Sequence, residues 1–277
     1  MPNLTLDIPV SLRSALERET ERTGDSASSI MTAALGQYLG TPIHTLFQVS
    51  TSGALVAGVY AGMVAVETIL KHGDFGLGTF AGLDGEMVVL DGVVYQVRGT
   101  GQVSAAAPSA AAPFAVVTRF SAERDLSIAA VSTFSELEAR CDLERQSDNI
   151  FYALRVDGRF SRVRTRAVNP PQEGTRLVEA SKQQTEFHFS DVDGTLVGIW
   201  SPGFSSAFSV PGHHFHFLSK DRRQGGHLLD CASAGPLRLR VEALTDFHLA
   251  LPETESFLKA DLARDSSEEL AYAEKAN

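Results

Sequence analysis

Apolar and polar residues alternate in short runs along most of this chain, and the period changes only a few times. In Leu4-Thr5-Leu6-Asp7-Ile8 every second residue is apolar, which predicts a half-exposed strand ended by Pro9. Leu12, Ala15 and Leu16 have the spacing of one helix face, with Ser11 placed to cap that helix and Gly24 to stop it. Ile30, Ala34 and Leu35 mark a second helix in "DSASSIMTAALGQYLG". After about Thr45, "VAVETILKHG" predicts a helix bounded by Gly73, and "DLSIAAVSTFSELEARCD" a connection into one amphipathic helix. The tail from Pro252 is acidic and has helical character. Between these lie alternating runs broken at Asp84-Gly85, Asp91-Gly92, Asp157-Gly158 and Asp193-Gly194, each read as a hairpin turn because both residues tolerate positive φ. "AAAPSAAAP" (105–113) reads as a low-complexity loop. Strand-rich segments interrupted by a few helices predict an α+β (mixed α/β) body with mixed sheets.

Strand, helix, turn and helix within residues 1–40 resemble a ribbon-helix-helix module, a small unit separate from the body at 45–277. The resemblance implies a homodimer, because two such chains pair their strands into one ribbon. It also raises DNA binding through the outward residues Asn3, Thr5 and Asp7. The segment carries three arginines against five acidic residues, however, and affinity for DNA rests largely on neutralising phosphates. Dimerisation is therefore the expected role.

Composition narrows the function classes. The chain has 277 residues and a net charge of −10 with dispersed acidic residues, which argues against a surface built to hold nucleic acid. Cys141 and Cys231 have neither metal nor redox spacing. No export signal or membrane-length apolar run is visible, so a soluble, cytoplasmic protein is expected. The stretch Asp191-Val-Asp193-Gly194-Thr195 matches the phosphatase signature of the haloacid dehalogenase fold. The run before it alternates as an antiparallel strand does, which is the wrong setting for that chemistry.

The strongest chemical signal is "GHHFHFLSKDRRQGGH" (212–227), which holds four of the eight histidines. On a strand, His214 and His216 share one face and His213 takes the other with Phe215. His227 follows after a glycine-containing turn and can supply a third imidazole from the next strand. Three neutral imidazoles without a thiolate favour zinc or a similar divalent ion, and three protein ligands leave a position open for substrate.

"LKHGDFGLGTF", "LDGEMVVLDGVVYQV", "PFAVVT", "DGTLVGIWSPGF" and "VPGHHFHFLSKDRRQGGHLLD", taken in order, are similar to the acetolactate decarboxylase family from about Leu46 onward. The resemblance implies a two-part body with a β-sheet in each half and a zinc site between them, held by His214, His216 and His227. It further implies Glu86, Arg166 and Glu274 as catalytic residues, with Thr79 and Arg166 binding substrate. The implied reaction is decarboxylation of 2-acetolactate to acetoin, with the metal as Lewis acid stabilising an enediolate and no organic cofactor. Arg166 would bind the substrate carboxylate or help deliver the proton, while Glu86 and Glu274 would shuttle protons and fix the hydroxyl. His213 departs from the family, which usually carries an aromatic residue there. Arg162, Arg164 and Arg166 fall on one strand face by parity. Two other readings share these residues: a zinc hydrolase, and a metabolite-sensing DNA-binding regulator built on a decarboxylase-like body.

Overall fold

The structure, a computed structural model, describes residues 5–23, 27–40, 44–172 and 174–274. It divides into two compact units, Met1–Ile43 and His44–Asn277. The first unit contains α1 (Val10–Thr23) and α2 (Ala27–Tyr38). Helix α1 begins earlier than expected, because the Pro9 carbonyl accepts from both Leu12 N and Arg13 N at 3.0 Å. Ser11 therefore lies inside the first turn and does not cap it. Residues Thr5–Pro9 form no strand in the single chain. Asn3, Leu4 and Gly24 lie outside the described residues.

In the second unit the chain runs through β1 (Thr45–Val49), α3 (Ser52–Val56), β2 (Val64–Ala65), α4 (Val66–His72) and β3 (Phe75–Thr79). It continues through β4 (Glu86–Leu90), β5 (Val93–Val97), β6 (Val103–Ala105), β7 (Ala111–Ala112) and β8 (Phe114–Thr118). Then come β9 (Arg124–Ile128), α5 (Phe134–Asp142), β10 (Phe151–Ala167), α6 (Leu177–Ser181) and β11 (Thr185–Ser201). The last elements are β12 (Gly212–Ser219), β13 (Gly225–Ser233), β14 (Leu237–Leu244), β15 (Asp246–Ala250), α7 (Glu255–Lys259) and α8 (Ser267–Glu274). No helix among the described residues is long and apolar enough to cross a membrane.

Two sheets carry this α+β body. One has seven strands in the order β15-β1-β8-β3-β4-β5-β6, and the other six in the order β11-β12-β13-β10-β14-β9. Strand β10 also pairs with β11 along its length, so β10, β11, β12 and β13 close into a ring. Leu77 and Val88 of the first sheet share one buried cluster with Ala153, Val197 and Leu218 of the second. A second cluster, with Phe215, Phe217 and Leu137 of α5, covers the other side of the six-stranded sheet. A third places Val66 and Ile69 of α4 against Met87 and Val89. Alternation along each strand feeds both sides of a sheet, as in Leu77 against Gly76 and Gly78, or Phe217 against Leu218.

The turn expectations divide. Asp91 and Gly92, with φ of 52° and 76°, join Leu90 to Val93 as the tight hairpin their chemistry favours. Asp84-Gly85 leads out of the short turn Ala81–Leu83 into β4. Asp157-Gly158 and Asp193-Gly194 do not turn. They lie within β10 and β11, where Gly158 and Gly194 face each other. A Cβ on Gly194 would come within 2.4 Å of the Phe217 ring, and one on Gly158 within 2.4 Å of Leu237 Cδ2. These glycines make room for neighbouring side chains, which is why the local turn signal misleads. The 105–113 stretch also carries more order than a loop, because Ala111 and Ala112 pair with β2.

Candidate metal centre

Strand β12 presents its residues as parity predicts. Phe215 and Phe217 enter the cluster under α5, while His214 and His216 face the seven-stranded sheet with Leu218. His213 is on the opposite side, its Nε2 2.7 Å from Asp142 Oδ1 and its ring stacked on Phe215. It is not part of the imidazole cluster. The turn at 220–224 returns the chain as β13 in a register that sets His227 opposite His216. One ring nitrogen from each of His214, His216 and His227 falls within 4.8 Å of the others.

Hydrogen bonds fix which nitrogens point inward. His216 Nδ1 lies 2.8 Å from the Met87 carbonyl oxygen, and His227 Nε2 lies 3.3 Å from the Glu274 carbonyl oxygen. A carbonyl can only accept, so both nitrogens donate, leaving His216 Nε2 and His227 Nδ1 with free lone pairs. His214 Nε2 is 3.1 Å from His227 Nδ1. Two nitrogens bound tetrahedrally to one cation at about 2.0–2.1 Å would stand roughly 3.3 Å apart. The His214 and His227 nitrogens are therefore already close to the spacing of two ligands. Burial, then the charge of Arg166, pushes the His214 pKa down to about 3. Burial and then His214 push His216 down to about 3, and His227 is lowered for the same leading reason. All three are neutral near pH 7, the state a metal requires.

The remaining predicted residues converge on this cluster from three places. Arg166 of β10 pairs across the ladder with His227 and is 4 % exposed. Arg162, Arg164 and Arg166 keep their alternation on β10, whose partners on β11 run without a break from Ser190 to Glu186, while the register shift toward β13 is taken up at Leu229. Arg162 is exposed and pairs with Asp230, whereas Thr165 and Arg166 are both buried. Thr79 and Glu86 are cross-strand partners on β3 and β4 of the other sheet. Glu86 Oε2 lies 3.7 Å from His216 Nε2, and its Oε1 accepts from Val168 N at 3.3 Å. Burial raises the Glu86 pKa to about 7 against the opposing charge of Arg166. Thr79 Oγ1 donates to the Gly85 carbonyl at 2.8 Å, at the rim of the same cavity.

Glu274, from α8, completes the cluster. Its Oε2 is 3.6 Å from His214 Nε2, His227 Nδ1 and Arg166 Nη2 alike. Burial raises its pKa, opposed by Arg166. His216 Nε2, Arg166 Nε and Glu274 Oε2 are buried without a hydrogen-bond partner among the described residues. An unsatisfied buried polar group costs about 1–3 kcal/mol, so three together mark a place where something else supplies the contacts. A cation between the imidazoles fits this donor set. The sequence reading missed two contributors, the Met87 carbonyl and Gln184, whose Oε1 accepts from Arg166 Nη1 at 2.9 Å. Neither has a sequence signature: the first is a backbone atom, and the second is one of two adjacent glutamines in a loop.

Comparison with known proteins identifies the family and the fold. Residues 46–264 match the family model described as alpha-acetolactate decarboxylase. An alpha-acetolactate decarboxylase of Methanosarcina mazei is 41 % identical over 233 residues, covering 83 % of this chain and 80 % of that protein. The one from Methylococcus capsulatus is 39 % identical over 238 residues, covering 85 % of this chain and 91 % of its own length. The crystal structure of alpha-acetolactate decarboxylase from Bacillus subtilis strain 168 superposes with a TM-score of 0.81 at 34 % identity. That alignment covers 84 % of this chain and all (100 %) of the other. In sequence and in fold alike, the chain belongs to the alpha-acetolactate decarboxylase family.

Proposed function

We propose that the protein decarboxylates 2-acetolactate to acetoin and carbon dioxide, using a divalent metal, zinc by donor chemistry, held by His214, His216 and His227. The observation that carries this reading is the convergence of three neutral imidazoles beside a buried arginine and two buried carboxylates. The reaction breaks the bond between the carboxylate and the hydroxyl-bearing carbon, and that carbon then takes up one proton. When bound, the metal supplies a Lewis acid for the negative charge that builds on the substrate oxygens. Arg166 holds the departing carboxylate, because a planar, permanently charged fork matches its two oxygens. Glu86, with a pKa near neutrality, is suited to hold and release a proton at its Oε2. Glu274 accepts from the substrate hydroxyl, and Thr79 closes the pocket wall beside Glu86. Carbon dioxide release from 2-acetolactate, measured with acetoin formation, tests the reading; hydrolysis of esters without either product would favour the hydrolase.

We further infer that the unit at residues 1–43 joins two copies of the chain. Leu6, Val10, Leu12, Met31, Leu35, Tyr38 and Leu39 are exposed in the single chain. So much apolar surface on so short a segment needs a partner, and two Thr5–Ile8 segments pairing as a ribbon would bury it. Sedimentation of the full chain and of Leu12→Lys tests this: the variant should associate more weakly, and equal association would contradict it.

A further inference from the structure

We propose that Gln184 is the positioning residue for Arg166, and that its neutral amide keeps the guanidinium oriented for an anionic substrate without adding a carboxylate to the one it already faces in Glu274. Gln184 sits in the loop between α6 and β11 and does not line the metal cavity, so it acts only through the arginine. Its Oε1 accepts from Arg166 Nη1 at 2.9 Å, while Arg166 Nε has no partner among the described residues and Nη2 faces Glu274 at 3.6 Å. One edge of the fork is thus anchored and the rest is left for the cavity.

The anchor is itself held by the strand it serves. Asn169, three residues after Arg166, donates from Nδ2 to the Gln183 carbonyl at 2.9 Å and to Thr185 Oγ1 at 3.1 Å. Gln184 N donates to the Ser181 carbonyl at 3.2 Å, at the end of α6. Between Arg166 and Asn169, Val168 N donates to Glu86. Residues 166–169 therefore aim one guanidinium, hold one carboxylate and clamp the loop that returns to the guanidinium. An arginine stem has many rotamers, so a closed hydrogen-bonded circuit is what gives it a single direction.

The choice of an amide matters chemically. A carboxylate at the same place would turn this bond, already strengthened by its charged donor, into an ion pair. It would also place negative charge beside the anion the arginine is meant to receive. The neutral acceptor satisfies one N–H without spending the positive charge.

The kinetic part of this inference rests on the proposed decarboxylation, so its test has two arms. In the first, Gln184→Glu, close in shape to the native residue, should raise KM for 2-acetolactate about tenfold with a smaller change in kcat. Gln184→Met should lower kcat/KM about tenfold through loss of orientation, with the bound metal unchanged in both variants. In an Arg166→Lys background, Gln184→Met should cost no more than about twofold further, because both act through one group. Wild-type kinetics in both variants, or full additivity, would overturn the proposal. The second arm needs no substrate. Solvent exchange of the Arg166 Nε–H, followed by ¹⁵N NMR, should accelerate about tenfold or more in Gln184→Met as the side chain is freed. Unchanged exchange would overturn the positioning role whether or not the protein turns over acetolactate. Absence of turnover in the wild type, with accelerated exchange in the variant, would sink only the decarboxylase reading.

Discussion

Arg166 and His227 are directly paired across β10 and β13. On the far side of His227, the same register pairs it with His216. Neighbouring strands stand about 4.8 Å apart, so two imidazoles of the cluster and the Arg166 guanidinium lie side by side at a spacing set by the ladder itself. Arg166→Lys keeps the charge but loses the fork and its bond to Gln184. Hydrogen bonds to charged groups are worth about 1.5–3 kcal/mol, so kcat/KM should fall roughly 10–100-fold. Metal content, measured by atomic emission, should not change. Equal kinetics would remove Arg166 from substrate binding.

His216→Ala should abolish stoichiometric metal binding and activity together, because it removes one of three ligands and opens a void in the buried cluster. In the wild type, adding zinc to metal-free protein should raise the melting temperature, since the metal binds only the folded cluster. The variant should show no such rise. A variant that keeps one metal per chain would contradict the ligand assignment.

Glu86 makes a pH prediction with a definite sign. Its folded pKa of about 7 is above the ordinary value of 4.5, so between those values the folded state holds a proton that the unfolded state releases. Its contribution to stability is complete below about pH 4.5 and is lost as pH rises through 7. In metal-free protein, Glu86→Gln removes this loss, so the melting temperature of the variant relative to wild type should climb from pH 4.5 to 7. A constant difference across that window would contradict the buried, protonated carboxylate. The histidines work in the opposite sense. With folded values near 3 for His214 and His216 against 6.5, they contribute above 6.5 and lose that contribution as pH falls. Acid should therefore destabilise the metal-free protein through them.

Gly198 lies opposite Phe215, the residue between His214 and His216 on β12. A Cβ at Gly198 would come within 2.1 Å of the Phe215 ring, which is 1 % exposed and cannot swing away. Gly198→Ala should destabilise the protein by about 1–3 kcal/mol, the usual cost of overpacking a filled core. Because Phe215 moves with its neighbours, zinc affinity should fall as well. Denaturant unfolding and a metal-competition titration check both effects.

How far the sequence carried the picture depended on the range of the interaction. Parity on a single strand is local, so it placed His214 and His216 on one face and His213 on the other. The Asp91-Gly92 hairpin was legible for the same reason. Asp157-Gly158 and Asp193-Gly194 were misread because their glycines answer to Phe217 and Leu237, side chains distant in sequence. The arginine stripe kept its period, but parity does not say which end is buried: Arg162 is exposed and Arg166 is not. Glu274 and Thr79 were reached only through family resemblance, since nothing near them in sequence says that α8 or β3 meets β12. Gln184 was invisible, because its role lies wholly in a bond to a residue on another strand.

Acetoin formation from 2-acetolactate by purified protein, before chelation, after chelation and after zinc is restored, tests the central claim most directly. Steady acetoin production should vanish with metal removal and return in proportion to the metal rebound. Production that persists in protein shown to be metal-free, or none at any metal loading, would contradict an imidazole-held cation as the centre of the chemistry.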